Sequence, residues 1–130
     1  MTVTGALVVT HGKLGEILVQ EVEHLVGRQD RFIAMSTLGL SAGAITESVH
    51  RLIGDDPYIV FTDTPGTSPT IRSSAAIGER QAVITGVNIG MLISFVMHRE
   101  NVEFEELAEK MVRDGRRCVE VKWARNQQKI

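Results

Sequence analysis

Two hydrophobic periodicities alternate along this 130-residue chain, and that alternation limits the folds open to it. Short apolar runs such as Ala6-Leu7-Val8-Val9 are followed by segments whose apolar residues recur every three or four positions. The first kind reads as a strand buried on both faces, the second as an amphipathic helix. The first run ends at Thr10-His11-Gly12. The helix after it carries Leu14, Ile17, Leu18, Val22, Leu25 and Val26 as its apolar stripe and stops at Gly27. Arg31–Ser36 reads as a second strand. Ser41 caps a helix over Ala42–Leu52, with Ile45, Val49 and Leu52 on one face and Gly54 at its end. The third strand, Tyr58–Phe61, runs out at Asp63. Ser68-Pro69 is a helix start, with serine as N-cap and proline at the first helical position. Ala82–Ile84 is a fourth strand. Two helices follow, over Ile89–Arg99 and Val102–Asp114. The second has the stripe Phe104, Leu107, Ala108, Met111 and Val112, and Gly115 is its stop. Cys118–Trp123 alternates like a half-exposed strand, with Val119, Val121 and Trp123 on the apolar face.

The order βαβαβαβααβ predicts a mostly parallel sheet covered by helices on both faces, with right-handed crossovers and the C-terminal strand at an edge. One domain over residues 1–130 is expected. The net charge of −2 is not that of a chain built for a phosphate backbone, so no nucleic-acid partner is expected. A single cysteine, Cys118, excludes an internal disulfide and an all-cysteine zinc site, and fits a reducing compartment. No segment has the pattern of a signal peptide or a membrane span, so a cytoplasmic location is expected.

Sheets of this kind bind ligands at the carboxyl ends of their strands. The polar residues there are Thr10-His11-Gly12, Ser36-Thr37, Asp63 to Ser68 and Thr85 to Asn88. His11 comes directly after the first strand. Asp63 ends the third strand, which neighbours the first in most folds of this type. A carboxylate on one ring nitrogen would fix the proton there and leave the other nitrogen as a nucleophile toward a phosphoryl group. Thr64-Pro65-Gly66-Thr67-Ser68-Pro69 adds hydroxyls and free N–H groups for an anion. Taken singly, each of these is also an ordinary turn, cap or loop residue. His24, His50 and His98 read as surface or helix-end residues. No histidine pair has metal-ligand spacing, and there is no glycine-rich nucleotide motif, so neither metal nor cofactor is expected.

Three ordered segments carry a resemblance: Val8-Val9-Thr10-His11-Gly12, then Thr62 to Pro69, then Thr85-Gly86-Val87-Asn88-Ile89-Gly90-Met91-Leu92. With Glu105-Glu106-Leu107-Ala108 near the end, the chain resembles the IIA domain of the mannose-family sugar phosphotransferase system over nearly its whole length. The resemblance implies a flavodoxin-like homodimer in which the C-terminal strand is exchanged. It implies a phosphocarrier that takes a phosphoryl group from the phosphocarrier HPr on a histidine and passes it to a IIB component. The histidine matches His11, the aspartate that orients it matches Asp63, and the serine contacting the phosphoryl group matches Ser68. Thr64, Gly66, Thr67 and Thr10 complete the expected phosphoryl-binding set. A membrane enters only indirectly, through a permease.

The chain departs from the family pattern around that site. Pro65, Gly66 and Thr67 stand where a bulky apolar residue and two glycines are usual. Thr70-Ile71-Arg72 replaces an aromatic residue and asparagine, and Gly90 replaces a proline. These changes leave His11, Asp63 and Ser68 in place but alter the rim that a partner protein touches. They point to an altered partner range and to regulation in place of bulk sugar uptake. Alternatives of other kinds are the phosphotransfer subunit of a dihydroxyacetone kinase-type system, a histidine phosphatase, and a non-catalytic anion-sensing module. The phosphatase is disfavoured because no arginine precedes His11.

Overall fold

The computed structural model describes residues 2–127. It contains β1 (Gly5–Thr10), α1 (Leu14–Val26), β2 (Phe32–Ser36), α2 (Ala42–Ile53), β3 (Tyr58–Thr62), α3 (Ser68–Ser74), β4 (Gln81–Ile84), α4 (Ile89–His98), α5 (Phe104–Arg117) and a last turn of helix, α6 (Ala124–Gln127). The four strands are all parallel, in the order β2-β1-β3-β4. β1 is the pivot. It pairs with β2 from Ala6↔Phe32 to Thr10↔Ser36, and with β3 from Gly5↔Tyr58 to Val9↔Thr62. All six of its residues are buried, as a strand covered on both faces requires.

Alternation along the strands feeds two cores. Ala6, Val8, Ile59, Phe61 and Ile84 point to the layer of α1, α4 and α5, where Phe95 meets Phe61 edge-on at 5.5 Å between ring centres. Leu7, Val9, Tyr58 and Val60 point to the other layer, against Ile45, Val49 and Ile53 of α2. The expected α/β architecture with helices on both faces is therefore present.

Three local expectations are corrected, each for a packing reason. In α1 the buried face is Gly15, Val19 and Val22, while Leu14, Ile17 and Leu25 remain exposed. Gly15 sets this rotation: a Cβ there would come within 3.1 Å of the Val8 carbonyl oxygen, so the helix seats its bare backbone on β1. Gly115 does not stop α5, which runs on to Arg117. Its missing side chain is the space that the Met91 methyl occupies, so close approach of α4 and α5, not helix termination, accounts for the glycine.

The third correction is Cys118–Trp123, which forms no strand. A strand needs a neighbouring ladder, and among the described residues the segment pairs with none; Val119 is 80% exposed and Trp123 50%. Cys118 lies at the end of α5, its thiol donating to the Asp114 carbonyl at 3.3 Å. The Arg125 guanidinium lies over the Trp123 ring, 5.2 Å from its centre.

A polar clasp joins α4 to α5. The Ser94 hydroxyl donates to the Asp114 carboxylate, and Lys110 and Arg117 lie 3.3 and 3.5 Å from it. The Ser94 hydrogen bond, with help from Lys110 and Arg117, holds the Asp114 carboxyl below its ordinary pKa. A lowered folded-state pKa contributes stability that is full above the ordinary carboxylate range and disappears as pH falls through the lowered value. Asp114→Asn is therefore expected to cost about 1 kcal/mol at neutral pH, with the gap to the native protein closing on acidification. Urea unfolding of both proteins at neutral and acid pH checks this; a gap independent of pH would remove the charge from the explanation.

Candidate functional site

Because β1 and β3 are adjacent, their carboxyl ends deliver His11 and Asp63 side by side, at the point where the strand order reverses. Contact between them runs through the main chain. The His11 N–H donates to Asp63 Oδ2 at 2.9 Å. Asp63 Oδ1 accepts the Thr64 N–H at 2.8 Å. One carboxylate thus ties the end of β1 to the loop after β3. On the other side, the Ser36 hydroxyl at the end of β2 lies 3.4 Å from the His11 carbonyl, and the Thr37 N–H donates to the Thr10 carbonyl at 3.0 Å. The His11 side chain is exposed. Its peptide is held from both neighbouring strands while its ring faces outward.

The expected anion cradle is an ordered loop. Gly66 has φ of +79°, a left-handed conformation that glycine adopts without strain. The Thr64 carbonyl accepts two hydroxyls, from Thr67 at 2.8 Å and from Thr70 at 2.7 Å. Thr70 in turn accepts from the buried Thr62, at 2.7 Å. The Thr64 hydroxyl reaches Thr67 Oγ1 at 3.5 Å, and Thr67 Oγ1 lies 3.4 Å from Asp63 Oδ1. Ser68 opens α3 and is exposed; Thr67, one residue earlier than expected, occupies the N-cap. Pro69 is buried in the first turn.

Of the residues expected from sequence, His11, Asp63, Thr64, Gly66, Thr67 and Ser68 lie together at this end of the sheet. Thr10 is set apart: it is 1% exposed and its hydroxyl is committed inward. It donates to the Gly12 carbonyl and accepts from the Gly15 N–H, both at 2.9 Å. Asn88 is structural. Its side-chain oxygen caps α4 through the Met91 N–H at 2.9 Å, and its amide donates to the Gly115 carbonyl at 3.3 Å. The loop before it is pinned to β3, with Gly86 and Val87 N–H groups donating to the Asp63 and Thr62 carbonyls at 3.0 Å.

Sequence reasoning did not single out Ser36 as a contact of His11. The signal was available, since a hydroxyl residue ended the strand predicted beside β1. The remaining histidines have local partners: His24 pairs with Glu21 at 3.9 Å, His50 Nδ1 reaches the Ala76 carbonyl at 3.4 Å, and His98 Nδ1 the Ser94 carbonyl at 2.8 Å.

The chain is an open parallel α/β domain with an exposed histidine at the end of an inner strand and an aspartate beside it. The family described as the PTS system fructose IIA component, of the mannose type, matches residues 5–112, and the chain belongs to it. Among solved structures it is similar to the phosphotransferase system component EIIA from Streptococcus agalactiae, with TM-score 0.84 and 22% identity over 91% of this chain and 96% of that one. It is also similar to the mannose/sorbose specific IIA subunit from Enterococcus faecalis, with TM-score 0.80 and 21% identity over 94% and 96%. A third is the PTS IIA protein associated with the fucose utilization operon from Streptococcus pneumoniae, with TM-score 0.73 and 21% identity over the full length of both. At these identities the structures establish the shared fold. No curated protein matches the chain significantly. No helix among the described residues is long and apolar enough to cross a membrane.

The geometry makes Asp63 the bond between two loops. An asparagine there can turn only its carbonyl oxygen, not its NH2 group, toward an N–H donor, so either His11 or Thr64 loses its acceptor. Asp63→Asn is expected to lower stability by about 1 kcal/mol, read from the urea midpoint at neutral pH. An unchanged midpoint would mean that the two loops hold their places without the carboxylate.

Proposed function

We propose that this protein is a phosphocarrier that accepts a phosphoryl group from phosphorylated HPr on His11 Nε2 and passes it to a IIB component. The observation that carries this reading is His11 itself: an exposed ring on a peptide fixed at the end of the central strand, with Asp63 bonded to its N–H, in a chain of the IIA family. In the transfer, the Nε2 lone pair forms a bond to phosphorus as the phosphorus–nitrogen bond in HPr breaks, and the HPr ring leaves with that electron pair. The His11 ring keeps its proton on Nδ1 and gains positive charge, which the neighbouring Asp63 carboxylate stabilises. Thr64, Gly66, Thr67 and Ser68 border the incoming phosphoryl oxygens; the Thr67 hydroxyl, which donates to the Thr64 carbonyl in the free protein, must turn to reach them. Thr10 stands apart because its hydroxyl is both engaged and buried.

Intact mass after incubation with phosphoenolpyruvate, enzyme I and HPr should show one added phosphate per chain, labile in acid and stable in base. His11→Ala should take none. Asp63→Asn should slow transfer by on the order of a hundredfold. Release of free phosphate would instead point to a phosphatase, and no reaction to an anion-sensing module. Donation from the phosphorylated protein to IIB separates the sugar system from a dihydroxyacetone kinase-type system. Pro65, Thr67 and Arg72, on the loop and helix beside His11, support an altered partner range and a regulatory role over bulk uptake.

We further propose a homodimer in which the segment after α5 crosses to a second copy. Three observations support it: Val119, Val121 and Trp123 are exposed, the outer edge of β4 has no partner strand among the described residues, and Val119 lines a cavity of about 500 Å³ beside β4 together with Val83, Ile84, Met91 and Val112. Pairing of an open edge with a second chain is favourable and would cover this apolar face. Sedimentation at micromolar concentration should show a dimer, and deletion of Arg117 to Ile130 should leave a monomer or an aggregate. A full-length protein that sediments as a monomer would end this proposal.

A further inference from the structure

We infer that Thr10 is a positioning residue: its buried hydroxyl locks the turn that carries His11 and so aims the His11 ring. This rests on the reading of His11 as the phosphoryl acceptor and adds how that ring is held. The hydroxyl has one hydrogen and two lone pairs, and the turn uses it as both donor and acceptor. The hydrogen goes to the Gly12 carbonyl and a lone pair takes the Gly15 N–H, each at 2.9 Å. Gly15 is the second residue of α1, and Lys13 at the N-cap offers that end no side-chain acceptor. Thr10, three residues before the cap, takes over that role.

Glycine at position 15 makes this reach possible, because a Cβ there would lie 3.2 Å from Thr10 Oγ1 and 3.1 Å from the Val8 carbonyl oxygen. His11 sits inside the ring that Thr10 closes with Gly12. Asp63 holds the peptide group before it and Ser36 the one after it, and the Thr10 hydroxyl fixes the next carbonyl along, that of Gly12. Free rotation of the Thr10–Gly12 segment would leave the His11 Cα–Cβ vector undefined, and transfer rates fall steeply with small misplacement of a reacting atom.

The experiment compares the full chain with Thr10→Ser, Thr10→Val and Thr10→Cys. Serine keeps the hydroxyl, valine keeps the shape without it, and cysteine offers a weaker donor and acceptor. Two readouts are taken. Amide hydrogen exchange in the unphosphorylated protein reports the clamp directly at Gly15, whose N–H Thr10 accepts, and through the turn at His11, whose N–H goes to Asp63. It should quicken on the order of tenfold or more in Thr10→Val, stay near native in Thr10→Ser, and fall between in Thr10→Cys. Phosphorylation by phospho-HPr should show kcat reduced on the order of ten- to a hundredfold in Thr10→Val, with KM nearly unchanged and serine restoring the rate. Where valine does not fold, the cysteine and serine pair gives the same ordering. Slower transfer in Thr10→Val with native exchange at His11 and Gly15 would overturn the inference, and would return Thr10 to direct phosphoryl contact. Native rates in both readouts would overturn it too. If the native protein takes no phosphoryl group, the parent reading fails, and the exchange data still decide whether Thr10 holds His11.

Discussion

The double pairing of β1 is the constraint on which the rest of the structure depends. A strand hydrogen-bonded on both edges and covered on both faces has no freedom left, so the chain leaves its last residue from a fixed point. That residue is Thr10, and the next is His11. The parallel arrangement brings the carboxyl ends of β2 and β3 to the same level, so Ser36 and Asp63 flank the histidine without any loop having to reach. The site is thus a consequence of register. A slip of one residue between β1 and β3 would reverse the faces of Ala6 and Leu7, and bury each in the wrong core.

Much of this was legible in the chain. Strands and helices follow from the change of period, and the parallel sheet follows from their alternation. The adjacency of His11 and Asp63 follows from the usual neighbourhood of the first and third strands in such sheets. Less legible were the glycines. Gly27, Gly54 and Gly115 look alike in sequence, yet the first two end helices with positive φ while Gly115 lies inside α5, making room for Met91. Gly15 likewise turns α1 so that three residues of its apparent apolar stripe face out. Only the facing helix or strand distinguishes a stop from a contact, and that information lies far away in the sequence.

The C-terminal segment shows a different limit. Alternation in Cys118–Trp123 signals one apolar and one polar face, but alternation does not supply a ladder. Among the described residues the segment pairs with no strand, and Val119, Val121 and Trp123 stay exposed. A local pattern reports what a segment can do, and pairing is decided by what is next to it. The hydroxyls pose the same problem. Thr10, Thr62, Thr67 and Thr70 could each have faced a ligand by composition alone, but Thr10 and Thr62 are buried and bonded inward.

Hydrogen-bond capacity reconciles the expected role of Asp63 with the contacts it makes. An ionised carboxylate has about four lone-pair positions. Two are taken firmly by the His11 and Thr64 N–H groups, and the more distant Thr67 hydroxyl lies near a third. One position remains for a ring N–H. The backbone bonds therefore do not compete with orientation of the imidazole; they bring the carboxylate beside the histidine and hold it there. The threonine chain from Thr62 through Thr70 to the Thr64 carbonyl then fixes the loop from behind. Proline at 65 restricts the backbone further. A loop ordered by its own hydroxyls has little entropy left to lose when a partner docks, which favours a partner that already fits its shape and penalises one that would require the loop to adjust.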